Sequence, residues 1–560
     1  MLRLTEIRLL VGHGSDAIEC AIRTRLELGK DEPLLFKIAR RGVDARKRSA
    51  IMLVYSLDVD VAGEADLLVR FAANPHIRAA PDTSYKLVAS APRGGFARPV
   101  VIGCGPCGLF AALILAEMGF RPIILERGRA VRERTKDTWG LWRRGVLNPE
   151  SNVQFGEGGA GTFSDGKLYS GIKDPQHLGR KVLTEFVAAG APEEILYVSK
   201  PHIGTFRLVT VVESMRAKIE ALGGEYRFSA HVTGIDIAEG PQRRVRAVRL
   251  KSGEVIAADH VVLAVGHSAR DTFEMLYAAG IHVEAKPFSI GVRIEHPQSM
   301  IDAYRFGSAA RDSLLGAADY KLVHHASNGR VVYSFCMCPG GQVVAAASEP
   351  GRLVTNGMSQ YSRAERNANA GLVVAITPDV DYPGHPLAGI AFQRRYEEAA
   401  FAAGGGTYAA PVQRAGDFLA GRASTAVGAL IPSYKPGVAP ADLAACLPDY
   451  AVAAMREALP AFDRQIKGYA MDDAIMTGVE TRTSSPIRIR RDDSGQSINT
   501  AGLFPAGEGA GYAGGILSAG VDGIRVAEAV SLAITGEAAP MRTRLVRMGH
   551  APAGEGGWEG

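Results

Sequence analysis

Over residues 4–11 apolar and polar positions alternate with the two-residue period of a half-buried strand. Residues 15–28 place apolar side chains at helical spacing, with Ser15 positioned as a cap, and 34–39 and 51–59 read as further strands. This βαββ order predicts a small α+β domain of ferredoxin-like type over 1–90. The stretch 89–98, with Pro92, Gly94 and Gly95, reads as a linker. The pattern then changes. A short, fully apolar strand (99–102) runs into Gly103-Cys104-Gly105-Pro106-Cys107-Gly108, an apolar helix follows (109–118), and a second strand (122–125) ends in Glu126. A third such strand is expected at 260–265, and a strand–loop–helix unit at 502–530. Between them, 330–337 and 342–347 read as strands and 358–373 as a helix. The last residues, 541–560, read as a flexible tail.

Composition narrows the class. Of 560 residues, 47% are hydrophobic and 22% charged, which excludes a disordered or fibrous chain. The 65 glycines fall in short clusters without a period, which excludes collagen and solenoid repeats and marks loops of close backbone approach. Six scattered cysteines do not make a disulfide scaffold. The start carries charges through its apolar stretch, and the longest nearly apolar run, 108–120, contains Glu117 and is too short to span a bilayer. A cytoplasmic protein without a membrane partner is the expectation. The net charge of +5 is small. Within 1–90, Arg40, Arg41, Arg46, Lys47 and Arg48 cluster around Asp44, but the segment holds 14 Lys and Arg against 12 Asp and Glu. A solvated loop is therefore favoured over a nucleic-acid contact.

The chemistry-bearing signal is Gly103-x-Gly105-x-x-Gly108 in its context. It follows a strand, opens a helix, and has an acidic residue 23 positions after Gly103 at the end of the next strand. Gly103 permits the tight turn, Gly105 lets backbone approach a pyrophosphate, and Gly108 lets the helix sit close to the sheet. The helix N-terminus offers N–H groups to phosphate, and Glu126 is placed to accept from ribose hydroxyls.

That motif does not separate FAD from NAD. Two further segments resemble glutathione-reductase-type flavoproteins. His260-Val261-Val262-Leu263-Ala264-Val265-Gly266 is similar to their "ATG" strand. Gly502-Leu503-Phe504-Pro505-Ala506-Gly507-Glu508 is similar to their "G-D" segment, with Glu508 in place of Asp. The segment 511–515 then opens a helix resembling the one that faces the flavin pyrimidine edge. Four stretches resemble a bacterial family of uncharacterised FAD-dependent (NAD/FAD-utilising) dehydrogenases: 148–168, with its loop of five glycines, 286–296, Phe335-Cys336-Met337-Cys338-Pro339-Gly340-Gly341, and 478–486. The resemblance implies FAD and an α/β architecture with a discontinuous Rossmann-like FAD-binding domain (97–285 and 477–535). An inserted α+β substrate or cap domain (286–476) and the N-terminal domain complete it. The implied cofactor positions are Gly103, Gly105, Pro106, Cys107, Gly108, Glu126, Arg127, Gly158, Gly159, Ala160, Gly161, Val232, Ala264, Gly266, Gly507, Glu508, Gly514, Gly515 and Ile516.

For catalysis the candidates are Lys167, just beyond the glycine loop and expected near the flavin N1/O2 edge, or else a surface lysine; His267, after the third strand, with a satisfied loop histidine favoured; and Arg482, in a polar cluster suited to a carboxylate or phosphate or to capping local backbone. His202, His296 and Glu480 are further acid–base candidates. Cys104 and Cys107 lie inside the phosphate loop, where a redox role is disfavoured. Cys336 and Cys338, alternate residues of a strand, are expected on one face, and a buried structural pair is favoured over a redox one. Neither pair has further ligands at zinc spacing, so no metal is expected. No second GxGxxG with strand–helix context occurs between 286 and 480, so NAD(P)H is expected only as a transient co-substrate. The expectation is an FAD-dependent dehydrogenase moving a hydride between flavin N5 and a small organic substrate. Its alternatives are an RNA-associated flavoprotein and a non-catalytic flavin-binding regulator.

Overall fold

The N-terminal alternation buries Leu2, Leu4 and Ile7 on one face of a strand, Leu2–Leu10. In the computed structural model, which describes residues 1–310, 312 and 314–537, that strand sits inside a four-stranded antiparallel sheet. The order is Leu34–Asp44, Met52–Val61, Leu2–Leu10, Ile77–Ala79. Helix Ala17–Leu26 contributes Ile18, Ile22 and Leu26 to its core, and helix Glu64–Arg70 contributes Leu67. The unit is thus βαββαβ, with one helix and one strand beyond the βαββ reading. Its first helix begins after Asp16 rather than Ser15, with no side-chain cap. The basic cluster is split: Arg40 and Arg41 lie within strand Leu34–Asp44, and Arg46, Lys47 and Arg48 follow in the loop after it. Backbone bonds from Arg41 to Tyr197 (2.6 Å) and from Ser199 to Arg41 (2.9 Å) dock this strand on the rest of the chain. Arg48 lies over the Tyr304 ring.

Residues 80–99 connect the units without regular structure. The Tyr85 hydroxyl anchors them by donating to Glu528 (3.0 Å). Burial pushes the Glu528 carboxyl up to about 7, against the lowering effect of Tyr85 and Arg525. The native chain therefore holds a proton that the unfolded chain releases above a pKa of about 4.3. Stability from this site is highest below that value and is lost as pH rises towards 7. Glu528→Gln is expected to stabilise the chain by about 3 kcal/mol at pH 8 and only about 1 kcal/mol at pH 5. Thermal midpoints of both proteins at the two pH values check this.

A five-stranded parallel sheet follows, ordered Leu503–Pro505, Val261–Leu263, Val100–Ile102, Ile123–Leu125, Glu225–Arg227. Strands from residues 100 and 503 therefore both flank strand Val261–Leu263, which brings chain segments 400 residues apart together in one sheet. Helix Pro106–Glu117 is apolar all round because it is covered on all sides, by the sheet and by helix Ile516–Thr535. Glycines permit that closeness. A Cβ on Gly108 would meet the Gly103 carbonyl oxygen at 1.9 Å, and one on Gly523 would meet the Cys107 carbonyl oxygen at 2.2 Å. A three-stranded antiparallel sheet (Val232–Ala238, Arg244–Leu250, Val255–Ala257) packs into the core on the other side.

The middle of the chain forms a seven-stranded sheet ordered Val323–His325, Val331–Cys338, Asn367–Ile376, Phe288–Pro297, Ile475–Glu480, Ala410–Arg414, Val438–Pro440. Here the expected helix over 358–373 is overturned. Strand Thr355–Ser359 and strand Asn367–Ile376 occupy that region. Asn367–Ile376 is a central strand buried on both faces, so its small apolar residues show no alternation and mimic a buried helix. Strand Ile475–Glu480 runs through the expected boundary at 476 and carries the chain from this sheet back towards the nucleotide-type sheet. The expected tail, 541–560, lies outside the described residues.

Candidate active site

The C-terminal ends of strands Val100–Ile102, Ile123–Leu125 and Val261–Leu263 open into a cavity of about 920 Å³, the upper range for a cofactor pocket. At its floor Gly103 turns with φ +91°, and a Cβ there would strike the Ala264 carbonyl oxygen at 2.4 Å. Gly105 precedes the helix and Pro106 takes its first position, where a missing N–H costs nothing. The Glu126 carboxylate is buried. It accepts from the backbone N–H of Cys104 (3.1 Å), Gly128 (2.9 Å) and Gly156 (2.9 Å), and from the Cys104 thiol (3.4 Å). It lines the cavity, but its first task is to clip three loops together.

The glycine-rich loop lies against this floor. Gly158 N–H donates to the Cys104 carbonyl (3.0 Å), and a Cβ on Gly159 would stand 2.7 Å from Gly105 Cα. Arg134, which sequence reasoning missed, holds the loop in shape from helix Val131–Arg144. Its guanidinium is fully buried and donates to the carbonyls of Asn152 (2.8 Å), Val153 (2.7 Å), Gly156 (3.2 Å) and Glu157 (2.6 Å). Burial pushes it down to about 10, so it stays charged at neutral pH. The available signal was its spacing with Val131, Thr138 and Leu141, which sets it on the buried face of its helix.

Beside Cys107 of the first turn, Gly507 (φ +71°) donates its N–H to Asp522 (2.8 Å), itself paired with Arg491 (2.6 Å). Gly514, Gly515 and Ile516 line the wall where helix Ile516–Thr535 begins, so its N-terminal N–H groups and positive dipole end border the cavity. All expected cofactor positions line it except two. Gly108 is turned onto the Gly103 carbonyl, and Gly158 faces Thr162 and Val212, so both shape the loops from behind.

The proposed catalytic groups separate. His267 lines the cavity with its Nδ1 3.4 Å from Glu508, and its buried Nε2 has no partner in the structure. Lys167 lines it too, donating from Nζ to the Met337 carbonyl. Burial opposes its charge, but Cys336, Cys338 and Asp165 outweigh that and hold its pKa above the ordinary value. Arg482 reaches the cavity wall, yet its guanidinium is spent on Glu397 (2.9 and 3.0 Å), Ser348 (2.6 Å) and Ser268 (3.2 Å). The donors of Arg482 hold these protein groups together at the cavity wall. Glu480 is likewise paired, with the buried Arg293 (2.6 Å). His202 and His296 belong to the packing rather than the cavity. His202 bonds the Tyr361 carbonyl (2.9 Å), and His296 bonds that of Tyr469 (2.7 Å), with burial pushing it down to about 4.

Cys104 and Cys107 are buried, and burial pushes both thiols up. Cys336 and Cys338 are not equally placed towards the cavity. A bulge between Phe335 and Cys338, with Cys336 at φ +41°, turns Cys336 to the cavity and leaves Cys338 buried behind it. Among the described residues no three His, Cys, Asp or Glu side chains gather as metal ligands. No helix among them is long and apolar enough to cross a membrane.

The residues fit a flavin dinucleotide on two structural grounds. Backbone at Gly266 and Gly515 leaves open space that a side chain would fill, and the buried His267 Nε2 is an orphaned polar atom on the wall.

Residues 287–483 match the family described as "FAD-dependent protein, C-terminal domain-like", and residues 1–60 match a domain of unknown function (DUF8436). A relative from Clostridium beijerinckii, described as an uncharacterized protein, is 48% identical over 529 residues, covering 94% of this chain and 98% of that one. Among solved structures, a flavoprotein/dehydrogenase from Cytophaga hutchinsonii is 12% identical over 80% of this chain and 81% of its own, with TM-score 0.36. A glycine oxidase from Geobacillus kaustophilus is 11% identical over 80% and 98%, with TM-score 0.35.

Proposed function

The chain belongs to the family of the Clostridium beijerinckii protein and carries the FAD-dependent protein C-terminal domain; from that premise we propose that it is an FAD-dependent oxidoreductase acting on a small organic substrate, with NAD(P)H as a transient reductant. One observation carries the reading: three segments far apart in the chain, around Gly105, Gly159 and Gly515, converge on one cavity whose wall includes the starts of helices Pro106–Glu117 and Ile516–Thr535.

In this reading the Gly103–Gly108 turn and the start of helix Pro106–Glu117 bind the pyrophosphate through backbone N–H groups. Glu126 keeps the turn closed, and Glu508 with the helix start at Ile516 positions the other end. Bound FAD supplies two-electron redox chemistry. Lys167 and the helix N-terminus present positive charge to that end of the cavity and favour an anion there. His267, on the cavity wall with its Nδ1 beside Glu508, is the residue placed to hold or move a proton. The ring Met337–Asn356–Tyr333 walls off the substrate side.

The purified chain is expected to show a flavin absorption spectrum, with FAD released on denaturation, and the spectrum is expected to bleach anaerobically when NADPH or NADH is added. A chain without bound flavin after reconstitution with FAD overturns the cofactor assignment. A flavin that stays oxidised with both nucleotides overturns NAD(P)H as reductant.

A further inference from the structure

Cys336 and Cys338 are not used by this function, yet they sit at its centre. The bulged strand Val331–Cys338 brings Cys336 onto the cavity wall in a left-handed conformation that a non-glycine residue adopts rarely. Cys338 lies immediately behind. Its Sγ is 3.4 Å from the Cys336 carbonyl oxygen. Room for that sulfur comes from Gly357, where a Cβ would stand 2.8 Å from Cys338 Sγ. Two cations hold the same backbone: Lys167 Nζ on the Met337 carbonyl and Arg293 on the Cys336 carbonyl (3.0 Å). The hydrogen bond from Cys338, with the charges of Lys167 and Arg293, holds the Cys336 thiol well below its usual range despite burial, and Cys338 is held correspondingly high. One thiol poised as an accessible thiolate, with a second protonated thiol behind it, is the division of labour between an attacking and a resolving cysteine. Cys104, Cys107 and Cys446 lack it, being buried with raised thiols.

We propose that Cys336 and Cys338 are a redox-active dithiol on the substrate side of the cavity, and that the oxidised substrate is a small-molecule disulfide. The identity of the electron source rests on the flavin reading above; the dithiol itself does not. Cys336 thiolate attacks one sulfur of the disulfide, its S–S bond breaks, and the first thiolate leaves and takes a proton. Cys338 then attacks Cys336 Sγ, gives up its proton, and releases the second thiol as the Cys336–Cys338 bond forms. The balance is dithiol plus disulfide giving protein disulfide plus two thiols. Return to the dithiol takes two electrons and two protons, for which a reduced flavin or an added dithiol is the reductant class. Lys167 and Arg293 serve as positioning residues for the thiolate.

The test uses the full-length chain with the exposed Cys20 replaced (Cys20→Ser) and 2-hydroxyethyl disulfide as probe. Samples are quenched in acid and alkylated, and the peptide carrying both cysteines is weighed. That peptide is expected to lose two hydrogens and refuse alkylation until dithiothreitol is added. Cys338→Ser, with Cys338→Ala as a second variant, is expected to trap the probe's half on Cys336, whereas Cys336→Ser leaves Cys338 unmodified. Lys167→Met is expected to slow modification of Cys336 at pH 7 about tenfold and to move its pH–rate profile upward. A pair that stays alkylatable throughout, or two cysteines that react independently without linking, overturns the proposal. Flavin content is read separately from the visible spectrum. A flavin-loaded chain whose pair stays reduced sinks this inference alone, and a flavin-free chain whose pair still closes sinks only the flavin reading.

Discussion

Replacing Arg134 by methionine is expected to collapse the cofactor loop, with a stability loss of at least about 4 kcal/mol and no retained flavin. The guanidinium serves four carbonyls of residues 152–157, and all of them lie where water does not reach. A buried acceptor left without a donor costs about 1–3 kcal/mol, and methionine replaces none of the donors. The aliphatic stem matters as well. A Cβ on Gly156 would meet Arg134 Cδ at 2.3 Å, so the side chain lies flat along the loop. Arg134→Lys keeps a charge but not the planar fork and is expected to fall between the two. At about 2–4 °C per kcal/mol for a domain of this size, the thermal midpoint drops by roughly 8 °C or more. The control is Arg132→Ala, two residues away. Arg132 pairs with Glu213 at 2.7 Å but is 71% exposed, and its loss is expected to cost under about 1 kcal/mol. Equal midpoints for the two variants would refute the role given to Arg134.

Glu397 is the second position of large effect. From helix Ala388–Ala403 its buried carboxylate takes Arg270 in two bonds (2.6 and 2.9 Å), Arg482 in two more (3.0 and 2.9 Å) and the Thr481 hydroxyl (2.7 Å). It ties the seven-stranded-sheet region to the helix Arg270–Ala278 beside the cavity. Burial works against its charge, but Arg270 and Arg482 outweigh burial and hold the carboxyl well below the usual range. Its stabilisation is therefore present above the unfolded pKa of about 4.3 and lost only as pH falls through the lower folded value. Glu397→Gln leaves two buried guanidiniums sharing Glu349, at 2.5 Å from Arg270 and 3.7 Å from Arg482. A loss of about 3–5 kcal/mol at pH 7 is expected, and Glu397→Leu combined with Arg482→Met is expected to recover part of it. The same pair of variants decides what Arg482 does. A cluster member lowers the thermal midpoint when replaced; a substrate grip would instead raise KM and leave the midpoint in place.

How much of this was legible follows from distance along the chain. The turn at Gly103–Gly108, its strand and helix, and Glu126 at the next strand end are a local unit of about 25 residues, and the constraints on each residue are set by its neighbours. The glycine loop was legible for the same reason. Strand Asn367–Ile376 was not, because burial on both faces erases the alternation that identifies a strand. Neither was the work of Arg134, Arg482 and Glu397. A buried charge is written in the sequence like a surface one, and only its partners distinguish them. The bulge between Phe335 and Cys338 was hidden too: alternation assumes a regular strand, and one extra residue changes which residue reaches the cavity wall.

By itself, then, the sequence determined the local machinery: which turn can approach a phosphate, which helix must be buried, and which short apolar runs must be parallel strands. Those properties follow from backbone sterics and hydrophobic period, which act over a few residues. The tertiary structure alone decided which charges are structural, which thiol meets the cavity, and that segments near residues 105, 159 and 515 face one another. The reason is physical. Desolvation and charge pairing depend on what lies within a few ångströms, and in this chain those neighbours lie up to hundreds of residues apart.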